Sequence, residues 1–511
     1  MNQLFKTSRQ YRRLPIFRSI FHSQKYFSSL TPTIKDLLAN PPSPDSTILA
    51  QGHIKSIRQG KSAGFIDLSD GSAHLSLNVI VKNPLEVLSK LQLKVGQSIQ
   101  VQGKWVESQG TQDYEIVYNF EDVAHSLRVV GDVSEQYPIQ KKSSSYQFLR
   151  NHPTLRHRTS TLASLLRFRS FVESSLFEFF NGNSFTKVVP PLITSSDCEG
   201  AGEQFSVESL SKLNESRNKT TLSSEDHFFG KSTYLTVSTQ LHLEVLALSL
   251  NRVWTLTPCF RAEDSNTNRH LSEFWMLEAE ICYLGDLNQL TSFTEDMIRH
   301  VANSLKQSCN DSSISGGAVD LLGSRFNKED VELMKNRWDT VLSEASWPSI
   351  TYTEAVEIIN RVMNKGRSKN RLQWGDSIQT PHEKWLAGEY FKSPVFITDY
   401  PTAEKPFYMP KSKNFDPQRP TVACYDLILP EIGELVGGSM REHNYNNLVE
   451  EMKNRNMNLD EMQWYLSTRE NGTVPHGGFG MGFERLIAYL SGMENVKEVI
   501  PFPRVPQSCH C

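Results

Sequence analysis

The stretch CFRAEDSNTNRHLSEFWMLEAE, residues 259–280, decides the fold of this chain. It grows out of an apolar run, Val253 to Leu256, that reads as a strand. A polar, turn-prone loop follows, and Phe274 to Ile281 alternates back into a second strand. Two antiparallel strands then carry Arg261 at one end of the loop and Phe274 at the other. A guanidinium there can grip a phosphate, and the ring can stack on a base. A hairpin rich in Arg and Glu can also be a solvated face, but a Phe framed by two apolar strands argues for a binding platform.

Two further segments belong with it. Residues 477–486, GGFGMGFERL, put closely spaced glycines ahead of an apolar helical pattern. Glycine lets a backbone pass close to a ligand, and Arg485 falls where a helix begins, near which a phosphate can sit. Upstream, Leu162, Leu165, Leu166, Phe171, Val172, Leu176 and Phe180 recur near helical spacing, ahead of SFTKVVPPL at 184–192. In their order along the chain these segments resemble motif 1 (the helix, strand and Pro191), motif 2 (residues 259–280) and motif 3 (residues 477–486) of the class II aminoacyl-tRNA synthetases. The wording of motif 2 is similar to that of the asparaginyl branch of class IIb. The resemblance implies ATP-dependent attachment of asparagine to tRNA(Asn) through an asparaginyl-adenylate, and a homodimer formed through the motif 1 helix and strand.

Composition sets the bounds. At 511 residues the chain can bury two or three cores, and its 38% hydrophobic and 22% charged residues are ordinary for a globular protein. A net charge of −3 excludes a generally basic coat but leaves room for a local basic track along tRNA. The cysteines at 198, 259, 282, 309, 424, 509 and 511 form no Cys-x-x-Cys pair, so free thiols are expected. Cys509-His510-Cys511 reads as incidental at a frayed end. No apolar run is long enough to cross a bilayer, and no membrane partner is expected.

Residues 1–30 differ from the rest. Lys6, Arg9, Arg12, Arg13, Arg18 and Lys25 interleave with Leu14, Ile16, Phe17, Ile20 and Phe21, and no acid precedes Asp36. That is the composition of a mitochondrial transit peptide, which implies the mitochondrial matrix; the alternative is a basic arm on tRNA. Residues 33–130 carry five strand-like runs, 46–58, 64–70, 73–81, 98–107 and 114–123, separated by Gly and Asn/Asp turns. They suit a small OB-type barrel, a fold that binds single strands by stacking bases on aromatics. Residues 131–160 read as a polar, basic hinge, and 161–511 as the catalytic domain. The fold class is therefore α+β: a five-stranded OB-type β-barrel joined by a hinge to an antiparallel sheet flanked by helices.

Each site residue follows from the resemblance at its own position. Arg261 would hold the α-phosphate and substrate carboxylate, and Arg485 the γ-phosphate. Phe274 would stack on adenine, Glu263 face the adenine side or the tRNA end, and Arg269 or His270 close over the phosphates. Asp426 and Glu434 match the acidic positions that bind Mg2+ with ATP, a cation suited to sparse carboxylates plus phosphate. Catalysis would rest on Arg261, Arg485 and Glu434 through positioning and charge stabilisation, without a covalent nucleophile. For the amino acid, Glu199 in a glycine-rich loop and Gln240 would take the α-ammonium, and Arg441 and Glu278 the side-chain amide. Phe65 would stack on the middle anticodon base, with Arg58 and Asn78 beside it. Asn78 is shorter than the Gln usual there.

Asparaginyl and aspartyl enzymes share this frame. Aspartyl enzymes carry a Lys three residues after the Gln corresponding to Gln240, where this chain has Leu243. Without that cation a bound carboxylate would lose a charge-assisted bond of about 1.5–3 kcal/mol. The competing readings are an aspartyl-tRNA synthetase, a non-catalytic tRNA-binding paralogue, and an ammonia-dependent asparagine synthetase, against which the barrel argues.

Overall fold

The computed structural model describes residues 30–110, 112–196, 204–217, 219, 223–310, 317–325, 327–343, 345–363 and 371–511. The transit-peptide expectation, Cys198 and Glu199 fall outside them. Two compact units result: one up to Asp132, the other from Val133 to Cys511, with the short loops Gly71–Ser76 and Lys94–Gly96 grouped with the second.

The first unit opens with α1 (Ile34–Ala39). Thr33 caps it, its hydroxyl accepting from Asp36 N while Asp36 accepts from Thr33 N at 2.9 Å. The strands are β1 (Thr47–Gln59), β2 (Ala63–Ser69), β3 (Leu77–Lys82), β4 (Ser98–Glu107), β5 (Tyr114–Tyr118) and β6 (Ser126–Gly131), with α2 (Pro84–Leu91) between β3 and β4. Their order is β1-β2-β3-β5-β4, and a further β1–β4 pairing closes a five-stranded barrel. Ile54, Ile66, Leu68, Val79, Val101 and Trp105 fill it, all at most 1% exposed. Gly52 lets β1 lie close against β2, since a Cβ there would sit 2.7 Å from Ser69 O.

The strands differ from expectation in three places, the first being the third strand, which begins at Leu77 and not at Ala73. The fifth strand stops at Tyr118 because Asn119 to His125 turns, with Asp122 N donating to Asn119 O at 3.1 Å and His125 N to Asp122 O at 2.9 Å. The chain then returns as β6, a sixth strand on β4 that buries Leu127, where five strands were expected.

The second unit is built on α3 (Ser160–Gly182), β7 (Thr186–Lys187), α4 (Gln240–Leu250), β8 (Arg252–Phe260), β9 (Glu273–Cys282), α5 (Leu287–Asn310), β10 (Ser349–Thr351), α6 (Thr380–Trp385), β11 (Val395–Thr398), β12 (Cys424–Leu429), β13 (Gly433–Met440), α7 (Gln463–Glu470), β14 (His476–Gly482) and α8 (Phe483–Ser491). Eight strands form one sheet in the order β10-β11-β12-β13-β14-β9-β8-β7. It is antiparallel except at its two outer pairs. The apolar stripe of α3 lies in the main core: Phe168, Val172, Leu176 and Phe180 are buried, and the Phe180 ring stacks on Trp254 at 4.5 Å. Truncating such a ring to Ala costs about 3–5 kcal/mol.

The segment read as a solvated hinge is partly locked. Arg156 is fully buried; its Nη2 donates to Lys497 O at 2.9 Å and to Glu498 Oε2 at 3.3 Å, while Arg150 Nε meets Glu498 Oε1 at 2.5 Å. These two arginines answer a buried glutamate.

Candidate active site

The hairpin of residues 259–280 forms as β8 and β9, in a register that sets Phe260 opposite Glu273 and Arg252 opposite Ile281. Because side chains alternate along a strand, Leu277, Ala279 and Ile281 enter the core, while Met276, Glu278 and Glu280 line a cavity. The neighbouring strand β14 makes room for them, setting Gly480 opposite Glu278 and Gly478 opposite Glu280. A Cβ on Gly478 would overlap the Glu280 carboxylate. The glycines that looked like a ligand-cradling turn are therefore strand residues that clear space for carboxylates.

The cavity holds about 360 Å³. Arg261, Glu263, Arg269, His270, Phe274, Asp426, Glu434 and Arg485 line it together with Gln240, Leu243, Glu278 and Arg441. Every catalytic-domain residue singled out from sequence is thus gathered in one place, except Glu199, which lies outside the described residues.

One end is rich in cations. The Arg261 guanidinium carbon, just past the end of β8, lies 5.6 Å from the ring centre of Phe274 on β9. Arg485, in the first turn of α8, donates from Nη1 to Glu434 O at 3.1 Å and lies 3.8 Å from the Glu434 carboxylate. Arg269 donates to Thr380 Oγ1 on α6 at 2.9 Å. Burial, and then Arg485, lower the affinity of Arg269 and of His270 for their protons. His270 Nδ1 lies 2.7 Å from Thr267 Oγ1 and 3.0 Å from Ser265 Oγ.

Beside these cations lie three acids. Asp426 on β12 and Glu434 on β13 converge over Gly437, where a Cβ would sit 3.5 Å from Asp426 Oδ1 and 3.6 Å from Glu434 Oε1. Glu383, on α6, accepts from Glu434 N at 3.3 Å. Burial first, then the charges of Glu434 and Asp426, push its carboxyl up to about 7. Sequence reasoning missed Glu383, and it missed Lys405, whose Nζ lies 2.8 and 3.1 Å from the two Asp426 oxygens. The expected metal-binding Asp426 is therefore ion-paired with Lys405. Two carboxylates converging over a glycine still fit a divalent cation that completes its shell from phosphate. Among the described residues, no group of three or more His, Cys, Asp and Glu side chains is placed to hold a metal ion.

The other end is a buried charge network. Glu278 accepts from Thr239 N at 3.0 and 3.1 Å and from the hydroxyls of Ser238 and Thr239, and burial raises its carboxyl above the usual range. Arg441 donates from Nε and Nη2 to the two oxygens of Glu280 at 3.1 and 3.0 Å. Its ion-pair partner is Glu280, a residue that sequence reasoning did not single out. Glu244 on α4 accepts from Arg469 at 2.6 Å, Tyr465 at 2.7 Å and Gln240 Nε2 at 3.0 Å, and His476 Nε2 lies 3.2 Å away. Burial opposes its charge, yet Arg469, His476 and Arg441 hold it well below the usual carboxylate range. Leu243, the residue before it, is 1% exposed.

In the barrel, Phe65 is 36% exposed while its neighbours Ile66 and Leu68 are fully buried, which places it on the outer face of β2. Arg58 on β1 lies opposite it, its guanidinium 5.7 Å from the ring and 3.5 Å from Asp67. Asn78 on β3 pairs with Asp67, and its backbone N donates to Gln112 Oε1 at 3.3 Å. Phe65, Arg58 and Asn78 therefore belong to adjoining strands of one sheet.

Residues 48–123 match the OB-fold nucleic acid binding domain. The mitochondrial asparagine--tRNA ligase of Saccharomyces cerevisiae is 45% identical over 495 residues, covering 94% of this chain and 96% of that protein. The asparagine--tRNA ligase of Borreliella burgdorferi is 37% identical, covering 94% and 99%. The asparaginyl-tRNA synthetase of Pyrococcus horikoshii, solved with asparaginyl-adenylate, superposes with a TM-score of 0.78 at 25% identity, covering 95% of this chain and all of that one. Since the family described as tRNA synthetases class II (D, K and N) also matches residues 145–506, the site just built belongs to a member of that family.

Proposed function

We propose that this enzyme activates asparagine with ATP and transfers it to tRNA(Asn) for mitochondrial protein synthesis. The observation that carries the reading is the cavity itself, which unites a phosphate-binding end (Arg261, Arg269, Arg485) with an amino-acid end (Gln240, Glu278, Arg441) that offers Leu243 in place of a cation.

In the first step an oxygen of the asparagine carboxylate attacks the α-phosphorus, and the bond to pyrophosphate breaks as the adenylate forms. Negative charge grows on the phosphoryl oxygens, where preorganised cations stabilise it most. Arg261 spans the two reacting groups and offsets that charge, while Phe274 holds the adenine by stacking. Arg485 holds the γ-phosphate, Arg269 or His270 closes over the phosphates, and Glu263 faces the adenine side or the tRNA end. Asp426 and Glu434 would hold magnesium, which neutralises the phosphates when it binds with ATP. In the second step the terminal ribose hydroxyl of the tRNA attacks the acyl carbon, and AMP leaves. Gln240 and, in its loop, Glu199 would take the α-ammonium. Arg441 donates to the side-chain carbonyl, and Glu278 accepts from the amide.

The face formed by Phe65, Arg58 and Asn78 serves as the anticodon platform. Residues 1–30 act as the mitochondrial address, with 33–130 as the anticodon-binding domain, 131–160 as the connector and 161–511 as the catalytic domain. Two copies associate through α3 and the strand that follows it. The mitochondrial names of relatives in two yeasts support the location.

Exchange of labelled pyrophosphate into ATP by the full chain, with magnesium and either asparagine or aspartate, tests the proposal. Asparagine-dependent exchange is expected. Preference for aspartate would replace the substrate, and no exchange with either from folded protein would overturn the catalytic reading.

A further inference from the structure

Below the amino-acid end of the cavity every buried cation already has a carboxylate. Arg441 is 4% exposed, and two of its nitrogens meet both oxygens of Glu280, while Nη1 donates to Ser439 Oγ at 2.7 Å. That bidentate geometry puts both carboxylate oxygens in the acceptor role, the arrangement of an Arg–carboxylate ion pair; burial raises the Glu280 carboxyl, and Arg441 opposes that rise. Glu244, fully buried, lies 3.9 Å from Arg441 Nε and takes Arg469 and His476 on one oxygen. Its other oxygen holds the Gln240 NH2, so in that orientation the amide carbonyl is the acceptor left for a substrate ammonium. Leu243, next in sequence to Glu244, contributes no charge.

We propose that Glu244, acting with Glu280, sets the preference for asparagine over aspartate by neutralising the buried cations around Arg441. Arg441 then serves as a hydrogen-bond donor and not as a counter-ion. A neutral amide needs only such donors and acceptors, whereas an aspartate carboxylate would enter a site with no charge left to meet it. Glu244 is a positioning residue: it reaches the substrate through Gln240 and Arg441. The proposal rests on the asparagine reading above and deepens it.

The test measures kcat/KM in pyrophosphate exchange for both amino acids, using the full chain. Glu244→Gln keeps shape and removes charge; Glu280→Gln does the same for the direct partner of Arg441. In each, the aspartate-to-asparagine ratio should rise by about tenfold or more, the worth of one charge-assisted bond. Glu244→Asp keeps the charge but displaces its contacts, so activity should fall with the ratio unmoved. A purely structural role would lower both substrates in proportion in all three variants. An unmoved ratio in folded Glu244→Gln overturns the role of Glu244, and an unmoved ratio in Glu280→Gln overturns the neutralisation itself. If Glu244→Gln does not fold, Glu280→Gln and Glu244→Asp still decide, the second by a moved ratio that would refute charge as the cause. Failure of the underlying reading is separate, because it shows in the unaltered chain as a preference for aspartate.

Discussion

Lys405 stands as a built-in cation beside Asp426 and Glu434, and its removal leaves Asp426 buried without a counter-charge. Its ammonium reaches both Asp426 oxygens and lies 4.0 Å from the Tyr400 ring centre. In Lys405→Met, Asp426 keeps its burial and its acidic neighbour Glu434 but loses its counter-charge. Breaking one side of a buried pair costs about 3–5 kcal/mol. The two side chains are 18% and 15% exposed, which places the loss near about 3 kcal/mol. The penalty belongs to the ionised form of Asp426, so it should be largest at alkaline pH and shrink as acid neutralises that carboxyl. A magnesium ion arriving with ATP would restore the missing charge. Mg·ATP at a hundredfold its Kd stabilises any binding-competent chain by about 2.7 kcal/mol, and the variant should gain visibly more than the parent. Urea unfolding at pH 6 and pH 8, without ligand, with ATP plus chelator and with Mg·ATP, reads all of these. A variant as stable as the parent at pH 8 would refute the stabilising role of the buried pair, and equal gains from Mg·ATP in both would refute the placement of the metal at Asp426.

Three other outcomes are expected. Glu383 holds its proton up to about 7 when folded and near 4.5 when unfolded, so the folded state binds the extra proton between those values. Stability therefore falls as pH rises from 4.5 to 7 by about 3 kcal/mol from this group and is flat above; Glu383→Gln should flatten that window in a pH series of unfolding curves. Phe65→Ala should lower kcat/KM for tRNA charging by about 5- to 150-fold, the worth of one stacked base, and leave pyrophosphate exchange unchanged. Arg156→Ala leaves the buried Glu498 with Arg150 alone and should cost about 3–5 kcal/mol in urea unfolding, with little change in KM for ATP.

Much of this was legible because the relevant signals are local. The β8–β9 hairpin announces itself by two apolar runs around a polar loop, and the barrel strands by alternation and turn residues. What sequence concealed depends on long-range packing. Met276, Glu278 and Glu280 share one face of β9, so alternation alone leaves open which glutamate meets Arg441, the residue after β13. Lys405 lies 21 residues before Asp426, and the segment between them is largely irregular, with no periodicity to reveal the pair. The basic character of residues 150–156 reads as solvated until Glu498, more than 340 residues further on, is seen to be buried against it. Gln112 is equally silent: nothing in its loop signals that its side chain would meet the backbone of Asn78.

The order of strands in the large sheet has a bearing on how the protein comes into being. Strand β14 lies between β13 and β9, yet it is the last strand in the chain. Until His476–Gly482 has emerged from the ribosome, β9 and β13 lack their shared neighbour, and the two halves of the cavity have nothing to join them. An enzyme whose centre is completed by its tail does not close its active site early in synthesis.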